Sequence, residues 1–262
     1  MRYFKHFLNL SLALLLLIML YVVNINSLPV KQLIATEKNL CQKIKQDLNE
    51  NQQIKIVGLG DSLTAGIGDE TGEGGYIGNL VKKIKESECA TIVKNYSLKG
   101  LKSNELLNLL EEEDVQASIK KADIITFTIG ANDLLNALKQ GNMLKNVEIL
   151  NKAERLYDEN IERILKEIRT INKDVNIYYI GLYNPLAHIF PNIDHLDLIV
   201  TKWNNISKNN VEKVDNTYFV PIDEQFSEQI HLYLAEDYFH PNHQGYEAIA
   251  KQLIATILNE GE

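Results

Sequence analysis

Five short apolar runs, separated by stretches with helical spacing, constrain this chain more than any other feature. Ile54–Gly60 (IKIVGLG), Ala90–Tyr96 (ATIVKNY), Asp123–Gly130 (DIITFTIG), Val175–Leu182 (VNIYYIGL) and Thr217–Ile222 (TYFVPI) read as strands. Around them, Tyr76–Glu86, Ser103–Leu110 with a serine cap, Ala131–Lys139, a long run from Val147 to Ile171, Ile193–Val214 and Gln244–Leu258 read as helices. Strands separated by such helices pair in parallel through crossovers, not as hairpins. The expected fold is therefore a three-layer α/β/α sandwich of flavodoxin-like type, with a central parallel sheet of about five strands. No linker, repeat or composition break divides residues 52–262, so they form one domain. Sheets of this kind place their ligand site beyond the carboxyl ends of the strands. The residues just after the first three strands are the ones to read for chemistry.

Ahead of the domain, residues 7–23 (FLNLSLALLLLIMLYVV) carry no charge and follow Arg2 and Lys5. Residues 1–27 read as a signal-anchor, or as a signal peptide with poor cleavage residues at Ile25 and Ser27. With Arg2 and Lys5 held inside, the domain lies outside the cytoplasm, tethered to the membrane by the N-terminal segment or secreted if that segment is cleaved. Residues 28–51 form a helical stalk with Leu33, Leu40, Ile44 and Leu48 on one stripe. Cys41 and Cys89 then face an oxidising compartment, either bridged or as two separate buried thiols.

Charge excludes some functions. The chain has 27 basic and 35 acidic side chains, and removing residues 1–27 takes away only Arg2 and Lys5, so the remainder carries 25 − 35 = −10. Such a surface repels nucleic acid and does not adhere to anionic lipid by charge alone.

Four local patterns carry chemistry. After the first strand stands Gly60-Asp61-Ser62-Leu63-Thr64, a serine at a turn into a helix. It is not the G-x-S-x-G elbow, because Thr64 replaces the second glycine. A serine in such a place is ordinarily a helix cap. Asn95–Gly100 follows the second strand, and Gly100 permits close backbone approach. Gly130-Ala131-Asn132-Asp133 follows the third, where the Asn132 amide either donates to a reacting oxygen or caps the next helix. Near the end comes Asp237-Tyr238-Phe239-His240-Pro241, in which a carboxylate and an imidazole three residues apart can meet on one turn.

In this order and spacing, over residues 54–258, the four patterns resemble the GDSL or SGNH hydrolase family. The resemblance implies the flavodoxin-like fold, ester hydrolysis, and Ser62 as nucleophile with His240 as base and Asp237 as its orienting carboxylate. It implies an oxyanion hole made by the Ser62 N–H, the Gly100 N–H and the Asn132 side chain, with no metal and no cofactor. Among known members the chain looks most like the anchored or secreted lipase/acylhydrolase-like proteins of Gram-positive bacteria. The substrate is then an ester of a lipid or of an acylated envelope glycan. A catalytically weak anchored binding protein is the competing class.

Leu134, Tyr183, Asn184 and Pro185, with Leu135, Leu186 and Phe190, either line an acyl pocket or pack as an apolar loop. Asp61 belongs to the turn. The glycine-rich residues 66–75 lack a P-loop lysine and contain Asp69, Glu70 and Glu73, so they read as a mobile rim of the site. His243 with Asp223 and the Asp237–His240 pair does not make a metal pattern, Glu111–Asp114 reads as a solvated turn, and His188, His195 and His231 show no partner pattern.

Overall fold

The computed structural model describes residues 40–44, 53–141, 146–185 and 195–259. Five strands, β1 (Ile54–Gly60), β2 (Thr91–Ser97), β3 (Ile124–Thr128), β4 (Asn176–Ile180) and β5 (Thr217–Val220), form one sheet in the order β2-β1-β3-β4-β5. All four pairings are parallel, as the helical crossovers require. The strand order reverses between β1 and β3, which opens a crevice above their carboxyl ends.

The helices are α1 (residues 40–44), α2 (Gly75–Glu86), α3 (Ser103–Leu109), α4 (Glu113–Ile119), α5 (Ala131–Gln140), α6 (Val147–Ile171), α7 (His195–Val211), α8 (Asp223–Tyr233) and α9 (His243–Leu258). They cover the two faces separately, and the strands alternate between them with period two. Val57, Leu59, Ile125, Phe127, Ile177 and Tyr179 pack with α3 to α7. Ile54, Ile56, Ile124, Tyr178, Ile180 and Val220 pack with α1, α2, α8 and α9. This is the expected three-layer sandwich.

Two helices depart from the sequence reading. Glu113 and Asp114, read as part of a turn, instead open α4, where acidic side chains favour the positive end of the helix dipole. That helix buries only Val115 and Ile119, too few apolar positions to reveal a period. Helix α8 buries only Phe226 and is interrupted at Gln229, so its pattern is equally faint. Ser103 is not a cap either: Lys102 holds that position, its N–H donating to the Glu105 carboxylate, and the Ser103 hydroxyl is used elsewhere.

Of the two readings of the cysteines, the bridge is present: Cys41 and Cys89 are bonded, with Cα atoms 6.3 Å apart, and join α1 to the segment after α2. Residues 7–23 and most of the stalk lie outside the described residues, among which no helix is long and apolar enough to cross a membrane.

Candidate active site

The site grows out of the end of β1. Gly60 has φ +118°, and a Cβ there would lie 2.0 Å from the Thr128 carbonyl oxygen, so only glycine allows β1 and β3 to stay this close as the chain turns. Asp61 continues the ladder by donating its N–H to Thr128 O, and Ser62 follows on the turn.

The Asp61 carboxyl points down into the domain, not toward Ser62 or His240. Its Oδ1 accepts from the Thr128 hydroxyl at 2.6 Å and the Leu63 N–H at 3.1 Å. Because Thr128 gives its proton to Asp61, Thr64 must donate to Thr128 at 2.9 Å and Tyr76 to Thr64 at 2.8 Å, while Thr126 donates to Tyr76. A one-way chain of hydroxyls thus ends on Asp61. Burial pushes its pKa up to about 6, despite the opposing bonds from Thr128 and Leu63.

A carboxyl raised in the folded state binds its proton more tightly there than in the unfolded chain. Its stabilising effect is complete below about pH 4 and is lost as pH rises through about 6. Asp61→Asn is therefore expected to raise Tm at pH 8 by up to about 6–12 °C, two pKa units being roughly 3 kcal/mol. Thermal denaturation at several pH values checks this. A gain that persists below pH 4 would mean that the charge of Asp61 is not its source.

Ser62 and His240 are each 8% exposed. The Ser62 Oγ lies 2.9 Å from His240 Nε2, and His240 Nδ1 lies 2.6 Å from Asp237 Oδ2. With the Nδ1 proton held by the carboxylate, Nε2 presents its lone pair to the serine hydroxyl. Partial burial would raise the Asp237 pKa. Bonds from the His240 ring and from the N–H groups of His240 and Phe239 outweigh it and hold the carboxyl below its ordinary value.

The proposed oxyanion donors differ in their partners. Neither the Ser62 N–H nor the Gly100 N–H has a hydrogen-bond partner among the described residues, and Gly100 sits at φ +84°. Asn132 lies in the first turn of α5, capped instead by Gly130, and donates one amide hydrogen to Leu101 O at 3.0 Å, leaving the other. Next to it, Asp133 accepts from the Ser103 N–H at 3.0 Å and hydroxyl at 2.6 Å, while Asn160 donates to that hydroxyl. These bonds tie the loop after β2 to the start of α5, so Gly100 and Asn132 are held as a pair.

An apolar pocket opens beside Ser62 and His240. Leu134, Tyr183, Asn184 and Pro185 all line it, with Leu135 and Leu182. Leu138, Phe239 and a wall from α7 (Leu196, Ile199, Val200) were not read from the sequence. Leu186, His188 and Phe190 lie outside the described residues. Several hydrogen bonds run within the glycine-rich rim and from it to the last helix. Asp69 accepts from the Thr71 and Gly75 N–H groups, Tyr246 donates to Ile67 O, and the His243 N–H donates to Glu70. His243 lies between Asp69 and Glu247, 3.4 Å from each, closing the rim onto α9.

Residues 59–248 match the model of the GDSL-like lipase/acylhydrolase family. The chain belongs to that family. As a GDSL-like acylhydrolase it is a carboxylic ester hydrolase. It is 37% identical over 214 residues to protein YpmR of Bacillus subtilis (strain 168), covering 80% of this chain and 84% of that one. It is 32% identical over 213 residues to the spore germination lipase LipC of Bacillus licheniformis, covering 77% and 95%. Among solved structures it resembles the lipase Lip_vut3 from a goat rumen metagenome, with TM-score 0.72 and 29% identity over 80% of this chain and all (100%) of that one. Axe2, an acetyl xylan esterase of Geobacillus stearothermophilus, shares the fold of this GDSL-like enzyme, with TM-score 0.60 and 21% identity over 80% and 97%.

Proposed function

We propose that the enzyme cleaves esters of aliphatic acyl chains by acyl transfer to Ser62, on the outer side of the membrane. The observation that carries this reading is the hydrogen-bonded run Ser62–His240–Asp237 at the mouth of an apolar pocket. His240 Nε2 takes the serine proton as Oγ attacks the ester carbonyl. The charge that develops on the carbonyl oxygen faces the N–H groups of Ser62 and Gly100 and the free hydrogen of Asn132. As the tetrahedral intermediate collapses, His240 gives the proton to the departing alcohol. It then takes one from water, whose oxygen attacks the acyl-enzyme, and returns it to Ser62 Oγ as the acid leaves.

The lipases among the relatives and the leucine-rich pocket favour a multi-carbon acyl group. The fold shared with Axe2 keeps an O-acetylated glycan as the second reading. For the location, the uncharged run at residues 7–23 and the Cys41–Cys89 bridge are the support.

A chain-length series of chromogenic esters, from acetyl to palmitoyl, separates the substrates. At roughly 0.8 kcal/mol per buried CH₂, kcat/KM should rise about tenfold from acetyl to butyryl. A serine-reactive phosphonate should label the enzyme at Ser62. A maximum at acetyl would select the glycan reading, and an unlabelled, inactive protein would refute acyl transfer.

A further inference from the structure

The turn that carries both Asp237 and His240 is closed mainly on itself. Asp237 Oδ1 accepts the Phe239 and His240 N–H groups, the Ala235 N–H donates to His240 O, and Leu234 bridges to Pro241. Asn242 then ties it to the end of α8 through the carbonyls of Leu232, Tyr233 and Leu234. Tyr238, at its tip, is held at φ +54°, a left-handed conformation that costs a side-chain-bearing residue free energy. The Asp237 side chain is about half exposed. A self-contained, strained surface turn of this kind keeps its own shape, but its placement over the sheet has to come from outside it.

Among the described residues, two side-chain bonds reach from it toward the carboxyl edge of the sheet. One is His240 to Ser62, which must break and reform during each acyl transfer and so cannot hold the turn throughout. The other is the Tyr183 hydroxyl, which donates to Phe239 O at 2.6 Å from just beyond β4. The Tyr183 ring is itself fixed, stacked on the buried Phe226 with centroids 4.3 Å apart.

We propose that Tyr183 is a positioning residue: its hydroxyl, bound to the Phe239 carbonyl, keeps the Asp237–His240 turn in register with Ser62 while the Ser62–His240 bond is broken. The proposal rests on the acyl-transfer reading of Ser62. It makes Tyr183 more than a wall of the acyl pocket, since its hydroxyl bonds the backbone of the turn that carries His240.

Tyr183→Phe keeps the ring and its stacking and removes only the donor. Misplacing a base costs about 10–100-fold, so kcat should fall by about that much, with KM on a short ester unchanged within about twofold. The acid limb of kcat/KM should move to lower pH, because a displaced Asp237 stabilises the imidazolium less. Asp61, the carboxyl that lines this pocket, is untouched by the change and contributes equally to both profiles. The low-field Nδ1–H resonance of His240 should broaden or shift. Replacing Tyr183 with 4-aminophenylalanine, which restores a donor, should recover kcat. An unchanged kcat and pH profile in Tyr183→Phe, with or without a lower Tm, overturns the proposal, as does failure of the amino variant to recover activity. Phosphonate labelling of the parent protein is read alongside. If the parent is neither labelled nor active, the acyl-transfer reading has failed, whereas the His240 resonance still reports whether Tyr183 sets the turn.

Discussion

Ser62→Ala and His240→Ala are each expected to lower kcat on a chromogenic ester by about 10⁶-fold, and the double replacement to lower it little further. The reason is in the geometry. Ser62 Oγ is a poor nucleophile until Nε2 of His240, 2.9 Å away, accepts its proton, and the imidazole has nothing to activate once the hydroxyl is gone. The two residues act as one device, so their losses do not add. The remaining rate belongs to substrate binding and to the oxyanion donors, which both variants retain. Single-turnover measurements on the two variants and their combination check the expectation. Independent, multiplying losses would mean that His240 serves some step other than activating Ser62.

Asn132→Ala is expected to lower kcat by about 10²–10³-fold and leave KM nearly unchanged. An amide hydrogen aimed at the carbonyl oxygen gains most when that oxygen becomes an anion, so its removal is felt in the transition state and barely in the bound ester. The same side chain also donates to Leu101 O, and losing that bond costs about 1 kcal/mol of stability. That cost is small beside the rate effect, and denaturant titration measures it separately. Asn132→Asp has nearly the same shape but no donor, and its charge would repel the oxyanion. It should be at least as slow as the alanine variant, and a faster aspartate variant would place the oxyanion elsewhere.

Much of the frame was legible because its signals are local. Strands buried on both faces, such as β4 with Ile177–Ile180 all buried, read as continuous apolar runs. Ser62, Gly100 and Asn132 lie two, three and four residues past the ends of β1, β2 and β3, where a sheet of this order collects its site. Asp237 and His240 meet on one turn, so three residues of sequence contain their geometry.

What could not be read depends on side chains meeting from distant elements. Leu196, Ile199 and Val200 join the pocket because α7 packs against α6 and β5, while in the sequence they are ordinary apolar helix positions. Thr126 and Thr128 alternate with apolar residues, yet face inward, since a hydroxyl chain to Asp61 satisfies them. The bond from Tyr183 to Phe239 spans 56 positions, with no local pattern to announce it.

The Ser62–His240 contact spans 178 positions, joining the first strand to the turn before the last helix. A chain emerging from the ribosome has its nucleophile long before its base. Growing or truncated chains that lack the final helix and its preceding turn therefore carry an inert serine. On the proposed mechanism, hydrolytic power arrives only once the segment that carries Asp237 and His240 has docked beside Ser62.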